Sequence, residues 1–467
     1  MTDEPSLADV SLCCEGAVPA VVATASASGT PNVTYLSRVH VVDDERVALS
    51  NQFFSKTSRN LVENPRASIL LLDPTNYDQF RLSLVYERTE RRGPVFERLR
   101  ADIDALGALE GMQDVFRLRA ADIYRVVSIE RVFADVHRRG VPRPDGPARR
   151  DASSAAELLA ELGRRLSRST DLDVAVDVAL TGIDELFGYR HSSMLLRDET
   201  GGRLYTIASH GYPAEGIGSE IEVGDGIVGL AAQRCAPVRV GNLLQMAKYS
   251  RVVRQSYEGR GHIGPGREIP VPDLSGVDSR LAVPAMAFGE LVGVLCVEST
   301  APVAFDALDE ALLTVVASQL AAAVEGSRAR DTREGAEGHD DGPPPAPPAA
   351  APLRRGDEAH LRFFPLDGST FLDGDYLIKG VAGRLLWSLL VQHEREGRTD
   401  FTNREVRLDP TLELPEFRDN FESRLILLKR RLDERRAPVR IEKTGRGRFR
   451  LTVERPVRLE TTNDGGS

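Results

Sequence analysis

Between Ala17 and Asp73 the apolar residues come in short β-rich runs, VPAVVATAS, NVTYLSRVHVVDD, RVALSN and ASILLLD, each closed by Gly, Pro, Asn or Asp. Runs of this length bounded by turn formers predict a β-meander. One helical stretch interrupts it, SKTSRNLVENP, which Thr57 or Ser58 can cap and Asn64-Pro65 stops. From Ser154 the period changes. Leu158, Leu159, Leu162 and Leu166, then Leu172, Val176 and Leu180, recur at three- and four-residue spacing, the signature of amphipathic helix. Strand-like runs follow (HSSMLLRDE, RLYTIASHG, SRLAVPAMA, GELVGVLCVEST), and FDALDEALLTVVASQLAAAVEGS closes the segment as a helix, with Asp306 and Asp309 spaced as a capping box. Helices flanking a sheet predict an α+β unit.

A third pattern begins near Leu361. LRFFPLDGSTFLDGDYLIKG reads as two or three short strands, and VAGRLLWSLLVQHEREG as a helix with Val381, Leu385, Leu386, Leu389 and Leu390 on one face. Thr402 and Glu405 form a capping box that starts a short second helix. A long third helix opens with Pro415 in its first turn and carries Phe417, Phe421, Leu425, Leu428 and Leu432 along one stripe. VRIEKTGRGRFRLTVE is a hairpin with Val439, Ile441, Phe449, Leu451 and Val453 inward and Arg440, Arg448 and Arg450 outward.

Composition divides these patterns into domains. The chain has 467 residues, and at about 150 per domain that predicts roughly three cores. Two stretches break periodicity, RRGVPRPDGPARRDASS and the longer SRARDTREGAEGHDDGPPPAPPAAAPLRRGDE, whose prolines favour extended chain. The expected organisation is therefore a multidomain α+β chain with domains at 1–137, 154–327 and 358–460, linkers at 138–153 and 328–357, and a tail at 461–467. With a net charge of −10, any basic surface must be local. It is: from Arg418 to Arg455 there are 13 Arg/Lys against 6 Asp/Glu, a local excess of +7. The start, MTDEPSLADV, lacks a basic and an apolar leader region, and the apolar run Leu312–Val324 is short for a bilayer, which predicts a cytoplasmic protein. Four cysteines without metal-ligand spacing read as packed, reduced thiols and give no metal site.

GTPNVTYLSRVHVVDDERVALSNQFFSKTSRNLVENPRA, together with LRAADIYRVVSIERV, resembles the flavin-binding split barrels of the pyridoxamine-phosphate oxidase-like superfamily. The resemblance implies a homodimer with FMN at the subunit interface. It places Ser55 and Lys56 at the phosphate, with Thr57 and Ser58 on the same element, and Asn51 and Gln52 near the polar edge of the flavin ring. Thr34, Val39 and Thr57 stand where the oxidases carry basic residues, which argues against the oxidase reaction. VGDGIVGLAAQRCAPVRVGNL and LAVPAMAFGELVGVLCVES resemble a GAF domain, which implies a small-molecule ligand without naming it.

Short strands, three helices and a hairpin make a winged helix-turn-helix, and the stretch from Leu361 to Val453 resembles the DNA-binding domain of response-regulator transcription factors. Such a domain puts its third helix in the major groove and its wing on phosphates. On that basis Arg418, Arg424, Arg431 and Arg435 are expected on the exposed face of the helix, and Lys443, Arg446 and Arg448 on phosphate. No Ser/His/Asp, Cys/His or P-loop pattern calls for catalysis. The expectation is a one-component sensory transcriptional regulator. A flavin-dependent oxidoreductase regulated by the other two domains and a non-catalytic scaffold are the alternatives.

Overall fold

A computed structural model of the chain describes residues 5–462 apart from 15–18, 53–54, 74–77, 111–116, 134–150, 170, 199–200, 242, 244–271, 273, 337–357, 413–420 and 446. Most of the first expected linker and the whole of the Pro-rich tract lie outside the described residues.

The first segment is a curled antiparallel sheet. Its strands are β1 (Ala20–Ala25), β2 (Pro31–Leu36), β3 (Val39–Val41), β4 (Arg46–Asn51), β5 (Arg66–Leu72), β6 (Gln79–Glu90) and β7 (Ala120–Phe133), in the order β2-β1-β5-β6-β7-β4-β3. Alternate residues point inward, so that Val22, Leu49, Ile69, Leu71, Leu82 and Tyr124 fill one core. The second expected run divides at Ser37-Arg38, where the Arg38 guanidinium turns inside and meets Asp102 at 2.9 Å. A short α1 (Ser11–Cys14) places Cys13 and Cys14 in this core, and burial pushes the Cys13 thiol up to about 12. The helix α2 (Lys56–Glu63) joins β4 to β5. Ser55, rather than Thr57 or Ser58, holds its N-cap position, and Asn64 ends it. A helix with no counterpart in the sequence reading, α3 (Pro94–Glu110), packs Phe96 and Leu99 over β4 and β7, and Ile103 is buried as well.

The middle segment comprises α4 (Ala152–Leu166), α5 (Leu172–Phe187), β8 (His191–Arg197), β9 (Arg203–His210), β10 (Glu220–Glu222), α6 (Gly226–Arg234), β11 (Val238–Gly241), β12 (Ser279–Ala287), β13 (Glu290–Ser299) and α7 (Ala307–Ala336). Asp151 and Asp171 cap α4 and α5 by accepting from the amides of Ser154 and Val174. The six strands run in the order β10-β9-β8-β13-β12-β11. One face of the sheet packs α4, α5 and α7 through residues such as Leu281, Val283, Leu295 and Val297. The other face packs α6 through the alternating Ala282, Val294 and Cys296. The Asp306–Asp309 capping box forms, since each residue's amide donates to the other's carboxylate.

Two expectations need correction at α7. The helix runs on to Ala336, into the stretch expected to be linker, because its arginine-rich end contains no proline before Pro343. Ala307–Ala329 is also long and apolar enough to cross a membrane by length and composition, unlike the shorter run read from the sequence. In the fold, however, Leu313, Val316, Ala317, Leu320 and Val324 of this helix are buried in the sheet's core.

The third segment has β14 (Ala359–Phe364), β15 (Ser369–Leu372), β16 (Asp375–Ile378), α8 (Gly380–Glu396), β17 (Asp400–Thr402), α9 (Asn403–Arg407), α10 (Phe421–Glu434), β18 (Val439–Gly445), β19 (Arg448–Val453) and β20 (Val457–Thr461). The Thr402–Glu405 capping box is present in full at the start of α9. The hairpin alternates as expected, with Val439, Ile441, Phe449 and Leu451 buried, and β17 adds a third strand beside β19. The unexpected β20 lies parallel to β14 and carries the third segment one residue past its expected end, to Thr461. Buried apolar side chains form one continuous cluster through the middle and third segments, joining Leu281 and Leu320 to Leu385, Phe421 and Leu428.

Candidate functional site

The first candidate site lies where β4 runs into α2. At the end of β4 the Asn51 amide donates to Asp122 Oδ2 at 2.9 Å and to the Ser58 hydroxyl at 3.3 Å. Asp122 Oδ1 accepts from Thr89 at 2.5 Å, and the Tyr86 hydroxyl is 2.7 Å from that of Thr89. Burial raises the Asp122 carboxyl above its ordinary value, against the Thr89 and Asn51 hydrogen bonds. Gln52, 3% exposed, has a side-chain oxygen with no hydrogen-bond partner, and the buried Tyr124 hydroxyl also has none. Such atoms are costly unless something satisfies them. Ser55 and Lys56 are exposed at the start of α2, and the Ser55 side chain makes no cap hydrogen bond. Thr57 is different: it is buried, and its hydroxyl accepts from the Asn32 amide at 3.0 Å. The structure therefore divides the six expected residues. Ser55 and Lys56 face solvent, Gln52 offers a buried acceptor, Asn51 and Ser58 form a network with Asp122, and Thr57 packs inward.

A second polar group lies in the middle segment, on the sheet face that packs α6. Glu298 accepts from Arg280 Nε at 2.5 Å and from the Tyr212 hydroxyl at 3.1 Å. Cys296, two residues earlier on β13, is buried on the same face, and burial pushes its thiol up to about 12.

The third site is the basic surface of α10 and β18, and here the expected placements change most. Arg424 (9% exposed) and Arg431 (6% exposed) are not on an open face. The Arg424 guanidinium stacks 4.5 Å from the ring centroid of Tyr205 on β9. Arg431 donates to the Leu377 carbonyl at 2.8 Å and to Glu434 at 2.6 Å. The physical reason is that α10 is buried on two sides, by its own segment and by the middle one. Arg435 is exposed and pairs with Asp375 at 2.6 Å. Lys443 bridges Asp171 and Glu422, each at 3.0 Å, and Arg448 is half-buried on β19. Arg418 and Arg446 lie outside the described residues.

Two basic residues absent from the expected set are central to this contact. Lys429 meets Asp173 at 2.8 Å, while Arg430 meets Asp173 at 2.6 Å and Asp177 at 2.7 Å. Burial would raise the Asp173 carboxyl, but Arg430 and Lys429 outweigh it and hold the group below the usual carboxylate value. Burial likewise works against the Arg430 charge, and Asp173 with Asp177 more than offsets it. The sequence signal is the run Lys429-Arg430-Arg431, whose first two residues fall outside the expected set.

Comparison with known proteins assigns two of the three segments. Residues 12–126 match the family model described as pyridoxamine 5′-phosphate oxidase, and residues 169–325 match that of the GAF domain. No curated protein matches the chain. Among solved structures, it is similar to the GAF domain from a phosphoenolpyruvate-protein phosphotransferase of Coxiella burnetii (18% identity, 39% of this chain and 99% of that one, TM-score 0.30). It is also similar to free methionine-R-sulfoxide reductase from Neisseria meningitidis (22% identity, 40% and 99%, TM-score 0.30). An FMN-binding protein from Syntrophomonas wolfei is a third (18% identity, 27% and 84%, TM-score 0.23). The chain thus carries a pyridoxamine-phosphate oxidase-like N-terminal domain followed by a GAF domain.

Proposed function

We propose that this protein is a one-component sensor-regulator, in which the barrel and the GAF domain receive a small-molecule signal and the C-terminal segment binds duplex DNA. The observation that carries this reading is the direct seating of α10 and β18 on the GAF helix α5 and strand β9, which puts a sensory domain in contact with the basic surface. The element order of the C-terminal segment supports a winged helix: α8, α9 and α10 would be its three helices and β18–β19 its wing. In such domains the third helix reads base edges and the wing meets phosphate. A homodimer and a cytoplasmic location belong to the same reading.

FMN is the proposed ligand of the barrel. Gln52 fits it, as a buried acceptor without a partner, and so does the exposed start of α2 at Ser55 and Lys56, since a helix start favours a phosphate. The inward-facing Thr57 does not. The same Gln52 site favours a second reading, a flavin-dependent oxidoreductase whose other domains regulate it. Two measurements on the full-length protein test the proposal. The first is the absorbance spectrum with identification of any released cofactor, followed by FMN titration of the protein and of its Lys56→Ala variant; stoichiometric FMN, bound more weakly by the variant, is expected. The second is selection from a random duplex pool, in which enrichment of one sequence is expected. An unenriched pool together with turnover of a reduced nicotinamide would replace the regulator with the oxidoreductase.

A further inference from the structure

We propose that the acidic start of α5 occupies the basic surface of α10 and β18 in the place of nucleic-acid phosphates, so that the GAF domain and duplex DNA compete for the same cations. The inference rests on the DNA-binding reading above and adds its regulation.

Three observations carry it. First, the contact matches charge to charge: Asp171, Asp173 and Asp177 meet Lys443, Lys429 and Arg430 at 2.6–3.0 Å. Second, the carboxylates are held in advance. Asp171 is the N-cap of α5, accepting from the Val174 amide, and Asp173 lies in the first turn, where the helix start favours negative charge. Third, the surface is covered beyond the ion pairs, since Arg424 stacks on Tyr205 and Glu434 accepts from the Gly216 amide at 2.8 Å. Lys429, Arg430 and Lys443 cannot contact these carboxylates and a phosphate backbone with the same geometry at once. Charge pairs at a partly buried contact are desolvated at a cost that nearly offsets their attraction, which suits a contact made to open.

The test uses the full-length chain with Asp171→Asn, Asp173→Asn and Asp177→Asn combined, and a fluorescent random-sequence DNA duplex as probe. Asparagine keeps the α5 cap. The variant is expected to bind about 5- to 150-fold more tightly than the unaltered chain, the usual range for coupled sites, and Asp173→Asn alone to gain less. Because the expected change is a gain, misfolding cannot imitate it. A control neutralising Asp44, Glu63 and Glu157, exposed acids outside the contact, should leave affinity unchanged; an equal gain there would make the effect one of net charge and overturn the proposal. Equal binding by the unaltered and neutralised chains overturns the competition while leaving DNA binding intact. If neither chain binds the duplex, both readings fail together.

Discussion

Arg431 shows how one residue type can be read for the wrong job. On a helix counted from Phe417 to Leu432, an arginine off the apolar stripe reads as solvent-facing. In the fold it is buried, donating to a β16 carbonyl and to Glu434. Arg431→Ala leaves Glu434 and the Leu377 carbonyl short of a donor, and losing one partner of a buried pair costs about 3–5 kcal/mol. The expected result is a lower urea midpoint at unchanged slope. Unchanged stability with weaker DNA binding would restore the sequence reading. Local devices, by contrast, were legible: the capping boxes at Asp306 and Thr402 need only residues three apart, so their hydrogen bonds follow from spacing alone. Burial of α10 on a second side depends on a domain more than 200 residues earlier in the chain, which no local period records.

At the scale of elements, α3 joins the barrel to the GAF domain. Its Asp102 holds Arg38 within the barrel, while Arg98 meets Glu310 at 2.7 Å on α7 and Asp104 pairs with Arg234 on α6. The stretch carries Phe96, Leu99 and Ile103 at helical spacing, a narrow face that a search for strands passes over. The strands themselves were legible because turn formers bound each run, whereas β20 has no partner in the sequence around it and pairs with β14 nearly 100 residues away. Asp102→Ala would remove the carboxylate that meets Arg38 in the interior and loosen α3. We expect a loss of about 3–5 kcal/mol in barrel stability and faster hydrogen exchange along α3. Exchange as slow as in the unaltered protein would mean that Asp102 does not hold the helix.

For the whole molecule, competition between α5 and DNA makes a prediction about salt that simple blocking does not. When a free cationic surface binds duplex DNA, each neutralised phosphate releases counterions, and log K falls against log salt with a slope of about −0.9 per contact. In the closed chain Lys429, Arg430 and Lys443 already face carboxylates. Binding DNA then exchanges one set of anions for another, and the freed carboxylates take up cations as the phosphates lose theirs. For these three residues the net counterion release is close to zero. Neutralising the three aspartates restores the ordinary release at Lys429 and Arg430, while Lys443 keeps Glu422, so the variant's slope should be steeper by up to about 1.8. Its advantage over the unaltered chain should accordingly shrink as salt rises. Anisotropy titrations of both proteins over a salt series measure the two slopes directly. Parallel lines would mean that the acidic start of α5 does not stand in for phosphate, however close the ion pairs lie.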